Sequence, residues 1–411
     1  MSQASTTISL SRLTVPAVIA AACLISLIGF GIRSSFGLYL EPITSERGWS
    51  RETFALALAI QNLLWGMGVP VAGAIADRYG TSKVVALGAV AYAAGVAGMA
   101  LADSGPTLYL VGGILVGVGV AFSSFSLVLA AIARIIGPER RSLALGLGTA
   151  AGSMGQVLFS PINQILIANY GWFDSLLVMS VVALVLAPLA FTLPRGTAAQ
   201  GEPASNQGLT AALGEALSQR SYLLLTAGFF VCGFHVAFIT AHFPTYVTDL
   251  GLSARAGAYA LSLVGLFNIC GSLLSGAFGQ RYSKKYGLSA IYAGRAVIIL
   301  ALLLAPANEL TVYLFAAAMG LLWLSTVPLT TGIVAQMFGL RFMATLFGIV
   351  FLSHQVGSFL GVWLGGLLYD QTGSYDAMWW AGVGFGIFAA LVHLPINDAP
   401  LARLRTAQAG G

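Results

Sequence analysis

Within the stretch GFGIRSSFGLYLEP, residues 29–42, one arginine stands in a run that is otherwise apolar or small. The Arg33 guanidinium stays charged at every relevant pH and presents a planar fork of donors matched to a carboxylate. Facing lipid it would cost about 2.5 to 3.5 kcal/mol on insertion scales, so it belongs against a cavity, where its chemistry is anion capture. The competing reading is a side chain that snorkels to the interface or pairs with Glu41 or Glu46. Ser34, Ser35 and Gly37 leave room beside it. Three histidines supply groups that change charge: His235 and His242, roughly 10 Å apart on one helix face, and His354 beside Gln355. Imidazole titrates between about pH 5 and 8, so each is a candidate to take a proton as an anion binds. Each is equally a candidate to bond a neighbouring helix as a neutral ring. Gln61, Asn62, Asn268 and Gln355 complete the candidate substrate contacts, whereas Gln156 and Asn163 read as helix fasteners. All 14 Asp and Glu fall at the ends of apolar runs or between them. A fixed cation with no fixed carboxylate beside it concentrates anions and rejects cations.

The elements that hold these residues are membrane spans. Of the 411 residues, 58% are hydrophobic and 8% charged, and the mean hydropathy of +0.88 lies outside the usual range of soluble domains. Apolar runs long enough to cross a bilayer, about 20 residues each, recur twelve times: at 14–40, 53–75, 83–102, 107–132, 142–168, 174–193, 221–247, 256–279, 287–305, 311–336, 343–368 and 378–396. This predicts an all-α membrane protein. The opening MSQASTTISLSRL lacks a basic n-region, and the first run is too long for a secretory h-region, so no cleaved signal is expected. Cys23, Cys232 and Cys270 fall inside predicted spans without CxxC spacing, which argues against a disulfide framework or a metal site. The net charge of +5 comes from basic residues scattered through short connections, not from a stripe that would bind nucleic acid. Fourteen of the 19 Lys and Arg lie on the side that holds the N-terminus. The positive-inside rule therefore places both termini in the cytoplasm, with the chain in the cell (inner) membrane.

The longest polar connection, residues 194–220, is rich in Gly, Ala, Ser and Gln and divides the chain into bundles at 1–193 and 221–411. Across this cytoplasmic linker the halves repeat at a shift of about 202 residues: GAIADRYG from Gly73 faces GAFGQRYS from Gly276, TLYL from Thr107 faces TVYL from Thr311, and GWFD at Gly171 faces GSYD at Gly373. Two parallel six-helix repeats imply a transporter whose halves rock about a midplane site.

The chain resembles the major facilitator superfamily over essentially its whole length. The most specific residues are Gly73, Asp77, Arg78, Gly80 and Lys83 in GAIADRYGTSK, matching the signature between helices 2 and 3, with a degenerate copy at Gly276 and Arg281. The resemblance implies the major facilitator fold, two pseudo-symmetric six-helix bundles, and a gating role for this charged turn. Asp77 would pair with basic groups or a helix N-terminus of the other bundle when that side is shut. ERRSLALGLGTAAGSMG, Glu139 to Gly155, resembles the fifth-helix signature of monocarboxylate porters, with Arg140 and Arg141 anchoring the cytoplasmic end. Arg33 stands where such porters carry a basic residue associated with anion and proton. The chain departs from the pattern in four places. No Tyr-Phe pair precedes the basic pair, Asn268 and Ser272 stand in the eighth helix where those porters carry an arginine, His354 and Gln355 replace the helix-11 lysine of oxalate/formate exchangers, and Gly113 stands near the fourth-helix arginine position. One permanent cation favours a monoanion over oxalate.

The function expected is secondary active transport of a small organic monoanion, coupled to a proton, by alternating access. The expected partners are the anion, the proton and the bilayer, and a monomer without cofactor is expected. An exporter of amphipathic compounds is the alternative, motivated by the aromatic, weakly charged interior. No enzyme is expected, because GLGTAAG sits in a membrane helix and not between a strand and a helix.

Overall fold

The computed structural model describes residues 15–124, 127, 128, 138–193, 208–339 and 342–401, all of them in helices or the turns between helices. The principal helices are α1 (Val15–Ser34), α2 (Arg51–Tyr79), α3 (Thr81–Leu101), α4 (Val116–Phe122), α5 (Pro138–Leu184), α6 (Arg220–Asp249), α7 (Ala254–Arg281), α8 (Lys284–Leu304), α9 (Glu309–Leu322), α10 (Thr326–Phe338), α11 (Met343–Thr372) and α12 (Asp376–His393). Several begin where a short polar side chain satisfies a free backbone donor. Ser50 accepts from the Thr53 amide at 3.2 Å, Ser253 from the Ala256 amide at 3.2 Å, and Asn308 from the Thr311 amide at 2.9 Å.

Eleven apolar helical segments among the described residues are long enough to span a bilayer. One of them, Ala150–Ala190, has 41 residues, about 60 Å of helix and twice the hydrocarbon thickness. It reverses at Gly171, whose φ of 83° lies in the left-handed region, where a Cβ would cost roughly 1 to 2 kcal/mol. That segment holds two crossings, so the described residues make twelve, near the positions the apolar runs mark.

Three spans are interrupted. The first leaves α-helix at Ser34, passes through a 3₁₀ turn at Phe36–Tyr39 and resumes at Leu40–Arg47. The Ser34 and Ser35 hydroxyls assist this change by donating to Gly31 and Ile32 carbonyls at 2.9 to 3.2 Å. The fourth contains a π-helical stretch at Tyr109–Leu115, and the tenth is broken between α9 and α10.

Buried side chains form one large cluster drawn from residues 22–193 and two drawn from residues 216–396. Ala237, Ala241 and Val362 of the later half join the first cluster, with Phe359 and Trp363 packed against it, so the halves interlock there. Within the expected linker, Leu209–Ser218 is a helix of its own. Its buried Ala216 packs with Tyr222 and Leu225, because small and apolar residues recur at helical spacing even in that polar stretch.

Candidate functional site

Arg33 closes the last turn of α1, just before the 3₁₀ turn, and points between the halves. Its Nη2 donates to Asn62 Oδ1, and the guanidinium carbon sits 4.2 Å from the Trp65 ring centroid. The Asn62 amide is oriented by its own Nδ2, which donates to the Leu58 carbonyl at 2.8 Å. Arg33 Nε is buried and makes no hydrogen bond, as does Gln61 Nε2. These groups face a cavity of about 20 Å³, with Arg33 and Gly37 on one side, Leu58, Gln61 and Asn62 on α2, Ala237, Thr240 and Ala241 on α6, and Val362 on α11. That volume admits a single water-sized group. No carboxylate lines it, so the guanidinium is offset only by neutral dipoles and the Trp65 face.

The cavity belongs to both halves, and the contacts around it are close. Gln355 Nε2 donates to the Asn62 carbonyl at 3.0 Å, which ties α11 to α2. A Cβ placed on Gly37 would sit 2.2 Å from the Thr240 carbonyl oxygen, so only glycine permits this approach of the first span to α6. Gly37→Leu is expected to hold the halves apart here. Uptake should fall about 5- to 150-fold in liposomes, the cost of forcing bulk into a packed contact being about 1 to 3 kcal/mol. Maleimide labelling of a Thr240→Cys reporter should accelerate in the same background. Unchanged labelling would show that this contact does not control access.

At the end of the bundle that carries the start of α2, the halves are clamped. Arg51 Nη1 and Nη2 make a bidentate ion pair with Asp249 at 2.6 and 2.8 Å, and the guanidinium carbon lies 3.6 Å from the Tyr369 ring centroid. Asp370 accepts from the Arg51 and Glu52 amides at 3.1 and 2.7 Å, capping α2 from the far half, and Trp363 Nε1 donates to Glu52 at 3.0 Å. Among the described residues this is the one ion pair. In the sequence Arg51 has no acidic partner at helical spacing except its neighbour Glu52 and reads as a topology signal. The available signal was a basic residue on the side that the positive-inside rule leaves poor in them. The pair is partly exposed, worth about 0.5 to 1 kcal/mol. Asp249→Asn is accordingly expected to raise the open population at this end two- to fivefold, read as a distance distribution between spin labels on α2 and α6.

The opposite end carries the charged turn. Gly80, with φ 94°, joins α2 to α3. Arg78 and Arg281 lie exposed over their own neighbours Tyr79 and Tyr282, at 5.3 and 5.9 Å. Gly73 has open space around it, and Lys83 is exposed. The side chains of Asp77, Arg140 and Arg141, expected in gating, lie outside the described residues.

Four expected substrate contacts are placed elsewhere. His235 Nε2 meets the Gly382 carbonyl at 2.8 Å. His242 Nε2 meets the Val362 carbonyl at 2.8 Å while its Nδ1 faces the Tyr375 hydroxyl at 3.1 Å. These rings tie α6 to α11, α12 and the turn before α12. Asn268 joins the seams, with Nδ2 donating to Ser153 at 3.0 Å and Oδ1 accepting from the Leu324 amide at 3.0 Å. His354 stacks on Phe351 and reaches Gln355 Oε1 at 3.0 Å, one step behind the cavity wall. The physical reason is azimuth: at 100° per residue, His235 and His242 lie about 150° around α6 from the face that Ala237, Thr240 and Ala241 present. Arg33, Gln61 and Asn62 are brought together, with Gln355 joined through the Asn62 backbone. Asn163 fastens helices, donating to Ser35 Oγ at 2.8 Å and accepting from Tyr39, whereas the buried Gln156 amide makes no hydrogen bond.

A twelve-span protein of two interlocked halves with a polar cavity at their seam is the architecture of one large transporter group, and the sequence profile described as Major Facilitator Superfamily matches residues 21–362. The chain belongs to the major facilitator superfamily. It is a transporter, not an enzyme. Monocarboxylate transporter 11 of Mus musculus is 28% identical over 398 residues, covering 93% of this chain and 87% of that protein. Monocarboxylate transporter 13 of Rattus norvegicus is 27% identical over 383 residues, covering 89% and 86%. The uncharacterised MFS-type transporter YcxA of Bacillus subtilis is 26% identical over 380 residues, covering 90% and 92%. Among solved structures, the inward-open xylose transporter XylE of E. coli superposes with a TM-score of 0.73 at 16% identity, covering 93% of this chain and 96% of its own. A D-xylose-proton symporter gives 0.71 at 16% identity, covering 92% and 97%. These two show the fold of this transporter.

Proposed function

We propose that this transporter moves a small organic monoanion, with a proton, by alternating access of bundles 1–193 and 221–411 about the Arg33 cavity. The observation that carries the reading is the Arg33 guanidinium in a seam cavity with no carboxylate, one Nη2 bond to a neutral amide and an unused Nε. A carboxylate that displaces Asn62 Oδ1 gains the planar fork and exchanges a neutral acceptor for a charged one. Gln61 Nε2, buried and unbonded, supplies a further donor from α2. The names of the monocarboxylate relatives support the substrate class. The distribution of basic residues supports cytoplasmic termini and an inner-membrane location.

The test is uptake of radiolabelled lactate, pyruvate, acetate and benzoate into liposomes, with and without an acid-outside gradient. Saturable uptake of at least one, accelerated by the gradient and competed by the others, is the expected result. Uptake of none of these, together with extrusion of lipophilic cations, would overturn the reading in favour of an exporter.

A further inference from the structure

A second arginine lies inside the later half. Arg295 on α8 is wholly buried and has no acidic residue within its span. Its Nη2 donates to the Trp323 carbonyl and, at 2.8 Å, to the Leu322 carbonyl, and its Nε to Leu322 at 3.3 Å. Those carbonyls are left unpaired where α9 stops, and a helix C-terminus carries about half a negative charge. Half a charge does not balance a whole one, and Arg295 Nη1 is buried with no hydrogen-bond partner. The side chain nearest to completing the balance is Cys232 on α6, whose Sγ lies 3.6 Å from Arg295 Nη2 and 3.2 Å from Thr326 Oγ1.

The other groups facing this thiol are Tyr292 on α8 and His354 on α11, while His235, one turn along α6, faces Arg295. The Tyr292 hydroxyl is buried without a partner, and its ring stacks on His393 at 5.1 Å. None is acidic. A thiol gives up its proton more readily than a phenol, about 8.5 against 10 in the free side chains, so Cys232 is the group that can supply an anion to Arg295.

His354 links this centre to the cavity by two routes. Through hydrogen bonds, His354 Nδ1 reaches Gln355 Oε1, Gln355 Nε2 donates to the Asn62 carbonyl, and Asn62 Oδ1 accepts from Arg33. Through rings, His354 stacks on Phe351 at 5.7 Å, Phe351 meets Trp65 at 5.4 Å, and Trp65 lies under Arg33. The two buried arginines are thus joined across the seam by a chain that runs through Cys232 and His354.

We propose that Cys232, served by His354, is the proton-carrying site of this transporter. It rests on the proton-coupled anion reading above and assigns the group that carries the proton. In the unloaded form Cys232 is a thiolate against Arg295, and among the described residues Arg33 is the one uncompensated cation of the interior. Loading adds a carboxylate at Arg33 and a proton from aqueous hydronium, whose O–H bond breaks to leave water as the S–H bond forms, and the interior keeps the same net charge. Loading the proton alone adds a second uncompensated charge, and an empty carrier without the thiolate would hold the same excess; each costs about 2.5 to 3.5 kcal/mol in a membrane interior, a factor of about 100. On the other side the S–H bond breaks, the proton leaves through His354 to water, and the anion leaves Arg33.

Cys232→Ser keeps the size of the side chain and removes a titratable thiol. In liposomes with labelled pyruvate or lactate, acid-gradient-driven net uptake should fall about 100-fold, while exchange of labelled for unlabelled substrate persists and reports an intact fold. Gradient-driven uptake within twofold of wild type would overturn the proposal. A second readout needs no substrate. In nanodiscs, the thiolate ultraviolet absorbance of wild type minus that of Cys232→Ser should rise in a step across about pH 5 to 9 and move in His354→Gln. Absence of a step overturns the proposal. If wild type transports none of the monocarboxylates, the anion reading fails, and the thiolate step still decides whether Cys232 titrates.

Discussion

Arg33→Ala is expected to abolish carboxylate uptake while the protein remains folded in the membrane. The side chain makes one hydrogen bond, to Asn62, and one ring contact, to Trp65, so the native packing loses little. The bound anion loses its only permanent counter-charge. Removing one member of a buried, hydrogen-bonded charge pair costs about 2 to 5 kcal/mol, or roughly 30-fold to several thousand-fold in affinity. Arg33→Lys should recover part of this, because the charge returns without the planar fork. The measurement is initial uptake against concentration for wild type and both variants, normalised to folded protein by size-exclusion elution. Retained uptake in Arg33→Ala would make the residue a structural cation and move the anion site elsewhere in the seam.

The spans were legible because a bilayer imposes a minimum apolar length, and the observed crossings begin and end within a few residues of the runs in nearly every case. The two segments that the sequence separates at 168 and 174 are two crossings, and the chain reverses between them at Gly171. Arg33 was legible because a charge in an apolar run carries its own signal. Azimuth was not. Mid-span depth placed His235 and His242 at the right level, but which side of α6 meets the seam depends on how α6 packs on α11 and α12, and small side chains won that face. Gln355 shares a face of α11 with Val362, seven residues on, and so reaches Asn62, while His354 is turned about 100° away. Arg295 had no sequence-local partner because the carbonyls that hold it come from a break in another span. Ser325 and Pro328 flank that break and were its only trace, since serine and proline near the start of α10 favour a new helix N-terminus. The clamp formed by Arg51, Asp249 and Asp370 joins residues nearly two hundred and more than three hundred positions apart, a pairing that periodicity cannot reveal.

Asn62→Asp separates the charge of the site from its shape. Asparagine and aspartate are nearly isosteric, and Asn62 Oδ1 already accepts from Arg33 Nη2, so the variant keeps that contact and makes it charge-assisted. The Asn62 Nδ2 bond to the Leu58 carbonyl is lost, a cost of about 1 kcal/mol that the new ion pair offsets. The fold is therefore retained, and the cavity becomes neutral with its donors already engaged. An incoming monoanion would have to displace a tethered carboxylate whose effective concentration is far above any substrate level. Uptake should fall as far as in Arg33→Ala, without the loss of a cation. Asn62→Ala should act in the opposite direction on binding: Arg33 loses a competing acceptor, so half-saturation should occur at lower substrate concentration, while turnover slows because the chain from Arg33 to Gln355 is interrupted. Opposite shifts in KM for Asn62→Asp and Asn62→Ala would establish Asn62 as the surrogate for the substrate carboxylate. Parallel losses in both, with KM unchanged, would reduce it to a helix fastener and leave Arg33 to act with Gln61 alone.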